Sequence, residues 1–519
     1  MMQPHESTPQ SRQLVYGLLI TLAVGVTLGR LAALERLHEP GVHRGDGDAR
    51  PRPAWPAKRP DPWPTFGSND RSRWALVRSL AEQGTFVIGR RDPIVVLSSA
   101  PALLAANSPV AFAALAQAGY QARITADSGI IFEEGWQSVD KVLHPSELQY
   151  YSTKPPLLST LVAGEYWLLR KLFGWSIVED RFLVIPVILL TTNVLGLLLY
   201  LALLARLAER FGRTDWSRYY VVAAAGFATL FTPFLITFNN HTIATTCVAL
   251  AVYAVVRIRE GGSGLWYLVA GLSAGFATTN EMPALALAVG IGVYLLVVAP
   301  GRTLGLYLPT ALLPLVALFA LNYVELGQLR PAYAEFGTPW YEYEGSHWRV
   351  APGTIKRGID FVGRNGEPKS VYAFHLLVGH HGWFSLMPVM VLALVGMMIG
   401  LSRKNDLPDP ASSVAPTSGL PLLCFFTLLL SLVVIAFYIW KSDNYGGWSN
   451  GPRWLMWLTP LWLLGLLPVL DRLAPSRVGR GVALVALALS ILSMHYQNWS
   501  PWRHPWIYNW MEGRGWINY

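Results

Sequence analysis

Long apolar runs recur along this chain, and most are close to the length that a helix needs to cross a lipid bilayer. A spanning helix requires about 20 apolar residues, because each residue adds about 1.5 Å and the hydrocarbon layer is about 30 Å thick. The runs predict about eleven spanning helices, at residues 14–34, 181–204, 219–237, 242–256, 265–279, 283–298, 304–324, 383–401, 420–440, 454–470 and 478–494. We therefore expect an all-α polytopic membrane protein.

The composition excludes an ordinary soluble protein of this size. Apolar residues make up 52% of the chain and charged residues only 14%, whereas a soluble domain carries about 25% charged residues. The net charge of +9 comes without a nucleic-acid-binding motif, so we expect no nucleic-acid partner. Cys247 and Cys424 both lie inside apolar runs, which leaves neither a disulfide framework nor a cysteine-rich metal site.

The basic residues of the short loops indicate the orientation. They follow the second, fourth, sixth, eighth and tenth predicted helices, so all five loops face the side of the N-terminus. Lys and Arg are enriched in cytoplasmic loops, which predicts a cytoplasmic N-terminus and an outer C-terminal tail. The residues concerned are Arg206, Arg210, Arg213, Arg218, Arg257, Arg259, Arg302, Arg403, Lys404, Arg472, Arg477 and Arg480.

This orientation divides the chain into six predicted segments. They are the cytoplasmic N-terminus with the first helix (1–34), a first outer loop (35–180), helices two to seven (181–324), a second outer loop (325–382), helices eight to eleven (383–494) and an outer tail (495–519). We interpret the first helix as an uncleaved signal anchor. In the first outer loop, residues 72–83 and 156–173 are apolar on one helical face, which predicts two helices in the membrane interface. Residues 39–64 predict an irregular connector, and residues 401–418 predict a cytoplasmic loop.

Two positions in the first outer loop could carry chemistry, and each also has a structural explanation. Asp70 precedes the first of the two helices, where its carboxylate could take a proton from a hydroxyl group or could simply cap the helix. Lys154 precedes Pro155 and Pro156, at the start of the second helix. Its ammonium could bind a phosphate there or only reach lipid headgroups. The residues alone leave both pairs of alternatives open.

Three further ionisable residues fall at the outer ends of predicted helices. His241 and Glu281 are candidates for lining a site, because a charge at a helix end costs less than one at the bilayer centre. Arg453 is a candidate for binding phosphate, because its guanidinium can contact two oxygens at once.

Four other residues complete the set of candidates for lining the site. His380 and His381 could bind metal or phosphate, although neighbouring residues on a helix point about 100° apart and seldom bind one ion. Arg71 follows Asp70 directly. Asp140 is a candidate too, or else only half of a solvated pair with Lys141.

Several motifs of the first outer loop are similar to those of a known enzyme family. Asp70 comes early in the loop, Lys154-Pro155-Pro156-Leu157 (KPPL) leads a helix, and a Phe-Gly-Trp turn and an Asp-Arg pair precede the second spanning helix (LFGWSIVEDRFLVIP). This pattern resembles the GT-C superfamily of polyprenyl-phosphate-dependent glycosyltransferases, and most closely glycosyltransferase family 39 with the protein O-mannosyltransferases and aminoarabinose transferases. The resemblance is strongest over residues 69–186, and the hydropathy pattern extends it across most of the chain.

The resemblance implies roles for two residues. Asp70 falls at the position of the family's catalytic aspartate, and Lys154 at that of the lysine that contacts the donor phosphate. Two positions depart from the family: Arg71 stands where a second acid is common, and Thr153 stands where the aminoarabinose branch has a metal-binding glutamate. We therefore assign no cofactor and no metal ligand, and whether a divalent metal takes part stays open.

These observations together predict a GT-C-like membrane glycosyltransferase with a partly helical first outer loop. We expect it to transfer a hexosyl or pentosyl group from a polyprenyl phosphate to a glycan, lipid or protein acceptor, on the outer face of a bacterial inner membrane. Asp70 would be the base of an inverting displacement, and Lys154 and Arg453 would bind the phosphate. The main alternative is a transporter or lipid flippase, which predicts inverted repeats and helices broken at mid-bilayer. A third alternative is a membrane scaffold.

Overall fold

A computed structural model describes residues 8–34, 62–96, 103–105, 121–402 and 419–519. Most of the predicted connector at residues 39–64 lies outside the described residues, as do Arg403, Lys404 and nearly all of the predicted loop at residues 401–418. The chain forms two compact units. The helical unit comprises Met1–Ala33, Leu189–Leu315 and Lys356–Tyr519, and the loop unit comprises Leu34–Ile188 and Val316–Ile355.

The described part of the chain is mostly helical, and seven of its helices are long and apolar enough to cross a membrane. Several such helices are the mark of a multi-pass membrane protein. They are Pro9–Ala32, Arg181–Phe211, Asn240–Arg259, Pro300–Leu326, Leu420–Lys441, Arg453–Leu473 and Arg477–His495.

The predicted count of about eleven spanning helices is not confirmed, because four of the predicted spans are short or interrupted. They correspond to Asp215–Phe227 with the separate turn Phe231–Phe234, to Leu265–Asn280, to Leu285–Val298 after the turn Met282–Ala284, and to Val389–Leu401 after Trp383–Leu386. The longest of them, Met282–Val298, has 17 residues, so it covers only about 26 Å at 1.5 Å per residue. Pro283 and Pro388 stand at two of the breaks, where a residue without a backbone N–H cannot continue a helix.

A buried asparagine of the helical unit, Asn193, is hydrogen-bonded to the backbone of a neighbouring segment. The second long helix is made of Arg181–Leu189, a π-helical turn Leu190–Val194 and Leu195–Phe211. Asn193 lies in that turn and donates through Nδ2 to the carbonyls of Leu235 and Thr237, at 2.9 and 2.8 Å. Its Oδ1 accepts from Thr242 Oγ1 at 3.0 Å. These bonds hold the beginning of Asn240–Arg259 beside the π-helical turn, since buried amides need partners.

Two more of the long helices are built from shorter pieces. Pro300–Arg302, a π-helical turn Thr303–Tyr307 and Leu308–Leu326 form one continuous helix, and Arg453–Leu458, Thr459–Gly465 and Leu467–Leu473 form another. Shorter helices and helical turns are Ile130–Phe132, Ala332–Glu335, Ile359–Phe361, Lys369–Leu377 and Trp506–Gly513.

The loop unit contains two helices and a small sheet that the sequence patterns did not predict. The helices, Ser68–Gln83 and Pro156–Phe173, pack on each other, and both end at a glycine with positive φ. The strands are Gly89–Val96, Leu103–Ala105, Gln121–Ser128, Lys141–Leu143 and Gln149–Ser152, numbered β1 to β5. All pairings are antiparallel, in the order β2-β1-β5-β4, with β3 also paired to β1.

The two loop-unit helices differ in how they expose apolar side chains. Ser68–Gln83 buries Trp74 and Leu76 almost completely, so its apolar face is covered by protein rather than left for a membrane surface. In Pro156–Phe173, by contrast, Trp167 is 50% and Leu172 is 64% exposed. Only the second helix therefore retains the exposed apolar face that the interface prediction requires.

Candidate functional site

Asp70 lies in the first turn of the helix Ser68–Gln83, at its third residue, and not before the helix as the sequence predicted. Its Oδ1 accepts a hydrogen bond from the Gly67 N–H at 2.7 Å, and its Oδ2 accepts one from the Phe66 N–H at 3.0 Å. Gly67 is the N-cap, because the helix begins with Ser68. The carboxylate therefore caps the helix from within, as an acid at the third position does when it reaches back.

The environment of Asp70 acts on its pKa in two directions. The side chain is 1% exposed, and this burial raises the pKa of the carboxyl. The hydrogen bonds from Phe66 and Gly67 and the charge of Arg71 lower that pKa and oppose the rise. A raised pKa suits a group that takes up a proton, while the two backbone bonds fix the direction of its lone pairs.

Serine hydroxyls join the beginning of this helix to two other segments of the loop unit. Ser72 Oγ donates to the Asp140 carbonyl at 2.6 Å and lies 2.7 Å from Ser152 Oγ. Ser138 Oγ donates to the Ser68 carbonyl at 2.7 Å, and Ser68 Oγ accepts from the Val139 N–H at 2.8 Å. The helix that carries Asp70 is thus bonded to the segment at Asp140 and to the strand that leads to Lys154.

Lys154 forms an ion pair with Asp140. Its Nζ lies 2.7 Å from Asp140 Oδ1, and the two side chains are 14% and 15% exposed. Lys141, by contrast, donates to the Ser138 carbonyl. Asp140, just before β4, is therefore not only half of a solvated pair with Lys141, because Lys154 meets it from the turn after β5 in a largely buried ion pair.

In the helical unit, three candidates that are far apart in sequence form one row, of which two members are buried and Arg453 is partly buried. His241 Nδ1 is hydrogen-bonded to Glu281 Oε1, and Arg453 Nη1 lies 2.9 Å from His241 Nε2. His241 is 2% and Glu281 is 5% exposed. Asn240 Nδ2 donates to the same Glu281 oxygen at 2.7 Å. We name Glu281, His241 and Arg453 the Glu-His-Arg row.

Helix ends bring the row together. His241 lies in the first turn of Asn240–Arg259, which Asn239 caps by accepting the Thr242 N–H at 2.9 Å. Glu281 follows the last residue of Leu265–Asn280, at the break before the next turn. Helix ends leave backbone groups without intrahelical partners, so polar side chains collect there.

His380 and His381 belong to a separate aromatic cluster in the helical unit. They follow Lys369–Leu377 in a turn rather than in a helix, and their Nδ1 atoms are 2.6 Å apart. His380 stacks on His375 with ring centroids 4.0 Å apart, and its Nε2 lies 3.0 Å from the Tyr519 hydroxyl. His504 stacks on Tyr508 at 3.8 Å in the same cluster. The argument from helical spacing therefore does not apply to these two histidines, which lie within the predicted second outer loop.

Burial keeps these histidines neutral. It lowers the pKa of His380 and His381, with the charges of neighbouring histidines acting in the same direction, and it lowers the pKa of His504 to about 3. No group of three or more His, Cys, Asp and Glu side chains with metal-binding geometry occurs among the described residues. The histidine cluster therefore gives no residue set to which a divalent metal could be assigned.

The candidates thus fall into three places. The loop unit contains four of them, Asp70, Arg71, Asp140 and Lys154. Burial lowers the pKa of Arg71, and the charge of Asp70 opposes this change. The Glu-His-Arg row and the two adjacent histidines lie in the helical unit. The prediction that Lys154 and Arg453 meet at one anion concerns both units and stays a prediction.

Some of the residues that hold these groups in place were missed. Ser72 and Ser152 each lie two residues from a candidate, Asp70 and Lys154 respectively, and that proximity was the only sequence signal. Asn240 directly precedes His241, where a polar pair at a helix start could have indicated a hydrogen-bonded pair. Nothing in the sequence brings His504 to His381.

Compared with models of known protein families, the sequence matches none, and no curated protein matches it.

Proposed function

We propose that the protein is a membrane glycosyltransferase of GT-C type that uses a polyprenyl-phosphate sugar as donor. The observation that supports this most is the serine network of the loop unit. It bonds the helix that carries an acid, Asp70, to the turn that carries a cation, Lys154. Sugar transfer from a lipid phosphate needs one group of each kind, an acid to take the acceptor proton and a cation for the leaving phosphate.

The proposed reaction is a single displacement at the anomeric carbon. The acceptor hydroxyl gives its proton to the Asp70 carboxylate, and its oxygen forms the new bond to the carbon. The bond from that carbon to the phosphate oxygen breaks, and the electron pair leaves with the polyprenyl phosphate. Lys154 stabilises the negative charge that develops on the phosphate. The configuration at the carbon is inverted.

The loop unit supports this division of roles. The pKa of Asp70 is raised by burial, which increases its affinity for the acceptor proton, and two backbone donors hold the carboxylate in one orientation. Asp140 holds the Lys154 ammonium at 2.7 Å. Such preorganised charges stabilise a transition state without having to move during the reaction.

A transporter or lipid flippase is the second candidate, and one observation favours it. The Glu-His-Arg row places three ionisable side chains at the ends of apolar helices, and such residues often mark the path of an ion or substrate. A flippase moves the lipid across the bilayer without cutting it, so the fate of the sugar–phosphate bond separates the two functions.

The test is a transfer assay with purified protein in lipid vesicles. Hexosyl and pentosyl polyprenyl phosphates, radiolabelled in the sugar, are added with a membrane extract as the source of acceptors. We expect label to leave the donor and unglycosylated polyprenyl phosphate to appear. Lys154→Gln should slow this release about 100-fold, by loss of charge stabilisation. Lys171→Gln, at the exposed far end of the helix Pro156–Phe173 that follows Lys154, is the matched control and should retain the full rate.

Two outcomes would count against the transferase. Movement of intact labelled donor between the leaflets, without release of polyprenyl phosphate, would identify a flippase. An equal rate of release in Lys154→Gln and Lys171→Gln would remove the role proposed for Lys154.

A further inference from the structure

The chemistry of the end groups of the Glu-His-Arg row determines which atom donates and which accepts in each of its hydrogen bonds. A guanidinium carries only hydrogen-bond donors and stays protonated. His241 Nε2, 2.9 Å from Arg453 Nη1, must therefore be an acceptor and carry no proton. The proton of the neutral ring then lies on Nδ1, which donates to Glu281 Oε1.

Other residues fix the Glu281 end of the row. Asn240 Nδ2 donates to Glu281 Oε1 at 2.7 Å and to the Asn280 carbonyl at 2.5 Å. Glu281 thus accepts from both Asn240 and His241, as an ionised carboxylate does. Because Asn240 and His241 are adjacent in the first turn of a helix, the carboxylate is bound to that turn and cannot leave the imidazole without breaking both bonds.

The Arg453 end is fixed in a similar way. Arg453 Nε donates to the Gly446 carbonyl at 3.0 Å while Nη1 donates to His241, so two donors of the planar group are bound in different directions. The guanidinium carbon lies 5.2 Å from the centre of the Trp502 ring. If His241 carried its proton on Nε2, two donors would face each other and the guanidinium would have to turn away.

We propose that Glu281 and His241 are positioning residues: Glu281 fixes the tautomer of His241, and His241 thereby orients Arg453 toward an anion of the phosphate class. This inference rests on the proposed function in so far as the anion is the phosphate of the lipid donor. Neither Glu281 nor His241 contacts the sugar. Their effect reaches the phosphate only through Arg453.

The first arm of the test measures the tautomer and needs no substrate. Protein labelled with ¹⁵N-histidine is studied by NMR near neutral pH, and the signals of His241 are identified by their loss in His241→Phe. We expect a protonated Nδ1 and an unprotonated Nε2. In Arg453→Met, which has no donor, Glu281 alone should keep the proton on Nδ1, whereas the double variant Arg453→Met with Glu281→Leu should show both tautomers. A mixture in Arg453→Met alone would refute the role of Glu281. A wild-type ring that carries its proton on Nε2, or on both nitrogens, would overturn the proposal.

The second arm measures the affinity for polyprenyl phosphate. Glu281→Leu removes the acceptor and should weaken binding about 10- to 100-fold, the range expected when a hydrogen bond to a charged group is lost. Glu281→Gln keeps a carbonyl oxygen that can accept from Nδ1, so it should recover most of the affinity. A residue that only supports the fold would show no such rescue. Thr278→Val, buried in the helix that precedes Glu281 and bonded to the Ala274 carbonyl, is the control and should bind normally.

The two arms separate failure of this inference from failure of the proposed function. If wild-type protein binds polyprenyl phosphate and releases sugar, but Glu281→Leu binds equally well, the positioning role is refuted and the transferase stands. If wild-type protein neither binds nor transfers, the proposed function fails and the phosphate role of Arg453 fails with it. The NMR arm then still decides whether Glu281 sets the tautomer of His241.

Discussion

Lys154 and Asp140 form an ion pair across the loop unit, with Nζ 2.7 Å from Oδ1 and both side chains largely buried. Asp140 is also hydrogen-bonded to the helix Ser68–Gln83, because its backbone carbonyl accepts from Ser72 Oγ at 2.6 Å. The pair therefore connects the segment before Lys141–Leu143 with the turn that follows Gln149–Ser152.

Removing one member of this pair should cost more stability than removing both. Asp140→Leu leaves a largely buried ammonium without its carboxylate, and we expect a loss of about 3 kcal/mol in the free energy of unfolding. The double variant Asp140→Leu with Lys154→Met should lose clearly less than the sum of the two single variants. Thermal unfolding in detergent measures both effects. Additive losses would mean that the two side chains do not interact in the folded protein.

Asp70→Asn should lower both stability and activity. The carboxylate accepts from two backbone N–H groups with two different oxygens, whereas an amide offers only one oxygen and turns its NH₂ group toward the other donor. We expect a loss of about 1–2 kcal/mol in stability, and a loss of about 10²-fold or more in the rate of transfer per folded molecule if Asp70 is the base.

Asp180→Asn is the matched control for Asp70. Asp180 Oδ2 also accepts a backbone N–H, from Ser176 at 2.9 Å, but no chemical role is proposed for it. The control should lose some stability and keep its activity at temperatures where it is folded. Full transfer activity in Asp70→Asn would show that capping is the whole role of this residue.

The protein should become less stable on acidification because of the histidine cluster. An unfolded histidine titrates near pH 6.5, whereas burial lowers the pKa of His504 to about 3 and also lowers that of His380. Between these values the unfolded chain binds more protons than the folded one, so stability is complete above about pH 6.5 and declines below it. The midpoint of thermal unfolding, measured from pH 8 to pH 5, should therefore drop.

Removing one of these histidines should reduce that dependence. His504→Phe retains an aromatic ring beside Tyr508 and should reduce the slope by up to about 1.4 kcal/mol per pH unit. Trp448→Phe alters a ring 4.8 Å from His504 but keeps the histidine, so its slope should equal that of the wild type. An unchanged slope in His504→Phe would contradict the contribution of His504.

The orientation in the membrane gives a further prediction. If the basic loops are cytoplasmic and the number of spanning helices is odd, a reporter fused after Tyr519 that works only in the cytoplasm should be inactive. The same reporter placed after Arg259, the last residue of the long apolar helix Asn240–Arg259, should be active. Activity at both positions would mean that the number of spanning helices is even.

The apolar pattern could predict that the chain is helical and crosses a membrane several times, because hydropathy depends on composition over a long window. It could predict the separation of the helices before Pro283, but it could not predict the break at Pro388 inside the predicted helix at residues 383–401, since an apolar run looks the same whether the helix continues or begins again. The strand Gly89–Val96 was missed because its first five residues, Gly-Arg-Arg-Asp-Pro, show no apolar alternation, and Gly, Asp and Pro are uncommon in strands.

For the candidate site, too, the sequence predicted local properties but not contacts between distant residues. His241, Glu281 and Arg453 were each predicted from a position at the end of an apolar helix, and this property is local. Their contact depends on how distant helices pack, which no local pattern contains. Asp70 was predicted as an acid at a helix start, but its third position in the helix depends on Gly67 serving as the cap.

The helix that begins at Arg453 is unlike the other six long apolar helices, because nearly all of its most apolar stretch is covered by protein. Lipid therefore touches little of Arg453–Leu473, and its mean hydropathy is the lowest of the seven. A helix enclosed in this way is retained in the bilayer by its neighbours more than by its own preference for hydrocarbon. It follows that this helix depends on the others for its own membrane insertion, and that a lesion in a surrounding helix would expel Arg453 from its place before any residue of the row itself had changed.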